Sequence, residues 1–126
     1  MERQIVSTEN APKPVGPYSQ AVKAGNILFV SGQIPIKPAT GKLEKDSFEH
    51  QCRLVLNNLK AIIEAAGSSL DKVIKVNIYV VDLGKFSELN AIYSEYFGNS
   101  KPARACVQVA KLPLDADVEI EAVSIC

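Results

Sequence analysis

Arg104 stands in Pro102-Ala103-Arg104-Ala105-Cys106-Val107, among small and apolar neighbours rather than other charges. A guanidinium is a rigid fork of donors that matches a carboxylate with two parallel hydrogen bonds. The residues alone leave two roles open: an anchor for a small acid, or a cross-strand ion pair with Glu119 or Glu121. Those glutamates flank Ile120 in Val118-Glu119-Ile120-Glu121-Ala122. In a strand they share a face, where either can hold or activate a water beside a cationic centre. Glu-x-Glu on an exposed strand is equally ordinary surface. Cys106 has a guanidinium two residues away that favours thiolate, but a nucleophilic thiol also needs a base. His50, the one histidine, lies beside Glu49 and Gln51, off the apolar stripe of its helix, and reads as a solvated residue. Cys106 therefore reads as a small pocket-lining group. Tyr18 and Ser19 after a proline-glycine loop, and Ser31-Gly32 at a strand end, complete the polar candidates. Backbone N–H groups near Gly32 can meet an anion, although a turn is the ordinary use of glycine.

Periodicity predicts the elements that position these groups. A first strand near Arg3–Ser7 leads into the irregular Ala11–Pro17 segment, with three prolines and a glycine. Strands at Ser19–Lys23 and Ile27–Ser31 are joined by a turn at Ala24-Gly25-Asn26, and Pro35–Gly41 is loop. Phe48, Cys52, Val55, Leu59, Ile62 and Ala66 recur in steps of four and three, predicting a helix over Asp46–Ala66. Asp46 or Ser47 can cap its start and Gly67 its end. A second helix spans Lys85–Phe97, with Phe86, Leu89, Tyr93 and Phe97 on one stripe and Gly98 at its end. Val73–Val81, Ala103–Ala110 and Val118–Ile125 read as strands. The order is βββαβαββ, an α+β fold with two helices on one face of a mixed sheet.

Alternation then sorts the faces. The sets Ile74/Val76/Ile78/Val80, Ala103/Ala105/Val107/Val109 and Val118/Ile120/Ala122 are expected against the helices. Lys75, Asn77, Tyr79, Arg104, Cys106, Gln108, Glu119 and Glu121 collect opposite. Such a half-polar face is either solvated surface or the lining of an interface and site.

The inventory excludes much else. The chain has 126 residues, the length of one domain over 1–126. Lys+Arg 14 balance Asp+Glu 14, so no basic excess suits a nucleic-acid binder. Hydrophobic residues at 47% and charged ones at 22% are ordinary for a folded chain. No apolar run suits a membrane span or a signal peptide, and the unpaired spacing of Cys52, Cys106 and Cys126 suggests reduced thiols, pointing to the cytoplasm. There is no zinc-type ligand spacing, Gly-rich dinucleotide motif or P-loop, so neither metal nor organic cofactor is expected.

Four blocks together carry a resemblance: Gly16-Pro17-Tyr18-Ser19-Gln20-Ala21, Phe29-Val30-Ser31-Gly32-Gln33-Ile34-Pro35, Pro102–Pro113 around Arg104, and Val118–Ala122. In order and across the whole chain, they resemble the RidA family. This family is also called YjgF/YER057c/UK114, the reactive-intermediate enamine/imine deaminases. The resemblance implies a chorismate-mutase-like fold and a homotrimer with sheets inward, helices outside and sites between subunits. It implies cofactor-free hydrolysis of 2-iminobutanoate and 2-iminopropanoate, products of pyridoxal-phosphate-dependent dehydratases, to 2-oxo acids and ammonia. Such hydrolysis would protect pyridoxal-phosphate enzymes from damage. Carried over residue by residue, Arg104 binds the substrate carboxylate and Glu119 positions or activates the water. Tyr18, Ser31, Gly32, Asn90 and Cys106 match other pocket positions. Gln108 departs from a frequent glutamate, a change expected to bear on the interface. A non-catalytic trimer that binds a small carboxylate as a signal is the alternative; a ribonuclease role comes third, ill served by zero net charge and one histidine.

Overall fold

Aliphatic residues at every second position and two amphipathic stretches organise the chain. A computed structural model describes all 126 residues. Its strands are β1 (Arg3–Val6), β2 (Ala21–Ala24), β3 (Ile27–Gln33), β4 (Val73–Val80), β5 (Ala103–Gln108) and β6 (Val118–Ile125). The helices are α1 (Phe48–Ala65) and α2 (Phe86–Phe97), and the order βββαβαββ agrees with the periodicity. One sheet runs β1-β2-β3-β6-β4-β5. Only β4 and β5 pair in parallel, and α2 supplies the long crossover such a pair requires. Gly25, at φ +60°, opens the two-residue turn between β2 and β3, where a side chain would be strained.

Ser47 caps α1 by accepting from the His50 N–H at 3.0 Å, and Gly67 follows its end at φ +84°. The stripe Phe48, Cys52, Val55, Leu59 and Ile62 is buried, and α1 packs on β3, β6 and α2. Two polar residues on α1 are buried as well. Gln51 exchanges hydrogen bonds with Asp117, and the Asn58 amide donates to the Ile36 carbonyl at 2.8 Å. They satisfy loop groups folded over the helix.

Two face assignments are corrected. A register shift between Val73 and Lys75 against β6 turns Val73 inward and leaves Ile74 42% exposed. The larger correction concerns β5. Its parallel register sets Arg104 beside Val76, Cys106 beside Ile78 and Gln108 beside Val80, all on the helix side. Ala103, Ala105 and Val107 therefore lie on the open face with Lys75, Asn77 and Tyr79. As an edge strand, β5 does not carry its more apolar side toward the helices. Gln108 accepts from the Leu83 N–H at 2.9 Å, tying the strand's end to the turn before α2.

Candidate active site

On the open face, β4 and β6 bring four polar side chains together. Tyr79 opposes Glu119 and Asn77 opposes Glu121 across the antiparallel pair. The Tyr79 hydroxyl donates to Glu121 at 2.7 Å and the Asn77 amide donates to the same oxygen at 3.3 Å. Glu121 is thus held, while the half-buried Glu119 carboxylate lies against Gly32. The register of β3 on β6 slips between Val30 and Gln33, so Ser31-Gly32 carries one residue more than its partner strand. Such a bulge re-aims backbone and side chains. Ser31 is tied down from both ends: its N–H donates to the Gln20 carbonyl at 2.9 Å and its hydroxyl to the Ser19 carbonyl at 2.6 Å. Buried Gln20 in turn fastens the proline-rich loop, accepting from the Thr8 N–H and donating to the carbonyls of Thr8, Ala11 and Pro12. Tyr18 follows that loop, and its hydroxyl accepts from the Val15 N–H at 3.3 Å. Tyr18, Ser31, Gly32, Glu119 and Glu121 line a cleft of about 380 Å³. Burial first, and the Glu121 charge second, push the Glu119 carboxyl above its ordinary range.

A Cβ on Gly32 would meet the Glu119 Oε2 and lie 2.9 Å from its Cδ. The obstacle is a flexible side chain, so Gly32→Ala is expected to fold with a melting temperature near the wild type's. If Glu119 acts on a bound substrate, displacing its carboxylate is expected to lower turnover about tenfold or more, since a misplacement of about 1 Å in a reacting group can cost a hundredfold. Thermal melting and steady-state rates on one preparation check both halves.

Arg104 belongs to a second cluster, on the helix side of β5. Its Nη1 donates to the Asn90 side-chain oxygen at 2.8 Å. Its guanidinium centre lies 4.8 Å from the Tyr93 ring centroid and 5.5 Å from that of Phe86. The cross-strand ion pair with Glu119 or Glu121 does not form: β4 separates β5 from β6, and none of the chain's ion pairs involves Arg104. Asn90, Tyr93, Lys101, Pro102 and Arg104 line a concavity of about 350 Å³. Cys106, on the same side, packs partly against the core. Burial pushes its thiol up, and the opposing pull of Arg104 is smaller.

The endoribonuclease L-PSP family model matches residues 8–126. A RutC family protein of Pyrococcus horikoshii is 57% identical over 122 residues, covering 97% of each chain. The chloroplastic Reactive Intermediate Deaminase A of Arabidopsis thaliana is 44% identical, over 98% of this chain and 66% of that one. Escherichia coli TdcF, solved with bound serine, superposes at TM-score 0.92 with 43% identity over 98% of both chains. The chain belongs to the RidA family.

In this RidA-family chain the predicted site residues divide in two. Tyr18, Ser31, Gly32 and Glu119 gather on the open face; Asn90, Arg104 and Cys106 gather on the helix side. One sheet lies between them. The largest concavity, about 650 Å³ between the loops around 7–15 and 36–41, holds none of these residues. His50 stands apart from both clusters, its Nε2 2.7 Å from Glu44. The sequence reading missed Tyr79 and Asn77 as the clamp on Glu121, Gln20 as the fastener of the Tyr18 loop, and Tyr93 beneath Arg104. Alternation puts Asn77, Tyr79 and Glu121 on one face, but which of them pair is set by the register of β4 on β6, and the roles of Gln20 and Tyr93 follow from tertiary burial. No helix is long and apolar enough to cross a membrane.

Proposed function

We propose that this protein hydrolyses 2-imino acids such as 2-iminobutanoate and 2-iminopropanoate to 2-oxo acids and ammonia, at sites completed between copies of the chain in a cytoplasmic homotrimer. The observation that carries the reading is the unpaired Arg104 fork on one side of the sheet and the Glu119 cleft on the other. In one chain the carboxylate anchor and the base cannot meet. In a ring of copies, the open face of one meets the β5 edge of the next and both halves join. The open face supports such packing: Ala103, Ala105 and Val107 point there, with Phe29 52% exposed and Val107 47% exposed. The name of the Arabidopsis relative supports the reaction class.

The chemistry asks little of the site. Arg104 binds the substrate carboxylate and sets C2 of the protonated imine beside a water held by Glu119. The water oxygen bonds to C2, the C=N π pair moves to nitrogen, and Glu119 takes the proton that the water sheds. That proton passes to the amine of the carbinolamine; the C–N bond then breaks as a hydroxyl lone pair forms C=O, Glu119 takes the hydroxyl proton, and the freed ammonia carries it away as ammonium. Proximity and orientation supply most of the effect. A small acid also suits a chain with no net charge, because the field it needs is local.

Two assays test the reading. With threonine dehydratase as the imine source, 2-oxobutanoate and ammonia are expected to appear faster when the protein is present. No acceleration, with 2-oxobutanoate still bound, would favour the signal-binding alternative. Mixing inactive Arg104→Ala and Glu119→Gln chains is expected to restore about a quarter of wild-type activity. Random assembly of a cyclic interface leaves about one site in four with both groups intact. Recovery of nothing, with subunit exchange verified, overturns the shared site.

A further inference from the structure

We infer that Asn90 and Tyr93 are positioning residues that hold the Arg104 fork open for its carboxylate; the inference rests on the reading of Arg104 as the anchor. Asn90 and Tyr93 are three residues apart on α2 and so share a face of the helix. That face presents both a neutral acceptor and an aromatic ring to one guanidinium. The Tyr93 ring, 8% exposed, is braced by Phe97, whose centroid lies 4.9 Å away. It is therefore a fixed platform 4.8 Å from the guanidinium centre, with Phe86 a second, more exposed ring at 5.5 Å. An arginine leaving an edge strand otherwise has large rotamer freedom, lost again at each binding event. Ring and amide remove that freedom in advance.

The neutrality of Asn90 matters as much as its reach. It uses Nη1 and leaves the positive charge uncompensated. An aspartate there would supply a carboxylate from within the chain and compete with the substrate's. The Tyr93 hydroxyl is buried with no hydrogen-bond partner, so the ring rather than the hydroxyl is the working part.

The test measures 2-oxobutanoate binding by calorimetry, alongside KM and kcat, in the full-length protein. Tyr93→Phe is expected to bind within about twofold of wild type and melt no lower, because it keeps the ring and removes an unsatisfied group. Tyr93→Leu is expected to weaken binding about five- to tenfold, and Asn90→Asp about tenfold or more. In both, KM rises by more than kcat falls. Unchanged affinity in Tyr93→Leu and Asn90→Asp overturns the inference. Should Tyr93→Leu fail to fold, Asn90→Asp alone decides, since its site is half-exposed and it adds a salt bridge. A wild type that binds no 2-oxobutanoate overturns instead the reading of Arg104 as a carboxylate anchor.

Discussion

Arg104→Ala is expected to lower kcat/KM for 2-iminobutanoate by about 10²–10³-fold, to the level of spontaneous hydrolysis. The fork offers a carboxylate two charge-assisted hydrogen bonds, each worth about 1.5–3 kcal/mol where water is partly excluded. Each ~1.4 kcal/mol is a factor of ten, so losing about 3–4 kcal/mol accounts for the range. Part of the loss falls on KM, because the anchor binds substrate, and part on kcat, because it also aims C2 at the water. Arg104→Lys keeps the charge but not the fork, and is expected to fall between the two. The fold is not at stake. Arg104 is half-buried on an edge strand, and its contacts within the chain are one hydrogen bond and two rings. Undiminished release of 2-oxobutanoate by Arg104→Ala, at wild-type KM, would remove the basis for the proposed reaction.

Alternation sets Arg104 and Glu119 on one face of the sheet, whereas the fold puts them on opposite faces. Alternation states which neighbours oppose each other, not which side is covered. For β6, and for β4 beyond the register shift that turns Ile74 outward, the rule that the aliphatic set faces the helices holds, because both strands lie inside the sheet: Val76, Ile78, Val118 and Ile120 are fully buried. For β5 it fails. The strand is at the edge, and its helix side carries Arg104 against the rings of α2 while alanine and valine face outward. Alternation marks which side of an edge strand is apolar, not whether that side is covered. The bulge at Ser31-Gly32 was hidden for a related reason, since it exists only relative to β6. By contrast, α1 was legible from local pattern alone, with Ser47 and Gly67 at its ends. The candidate groups themselves were readable from residue type and resemblance. Their division between two faces depended on long-range pairing.

Glu119→Gln is expected to lower kcat about a hundredfold or more while leaving KM near its wild-type value, since the anchor is a different side chain. Glutamine keeps the size and hydrogen-bonding reach of the carboxylate but takes no proton, and a positioned base contributes about 10²–10⁴-fold. The pH dependence separates this role from a structural one. Burial and the neighbouring Glu121 charge hold the Glu119 pKa above its ordinary value of 4.5. Wild-type turnover should therefore fall on the acid side beginning above that value, about tenfold per pH unit once Glu119 is mostly protonated. Stability runs the other way. A carboxyl whose folded pKa is raised contributes stability that is fully present below the unfolded pKa and lost as pH rises through the folded one. Glutamine resembles the protonated form at every pH, so the variant should be at least as stable as wild type at neutral pH. Their difference should close as the pH drops through the raised pKa. Chemical denaturation of both proteins across this range, set beside the rate profile, checks the two trends. A Glu119 that served only the fold would lose activity and stability together; a base held in a half-buried cleft loses the first and gains the second.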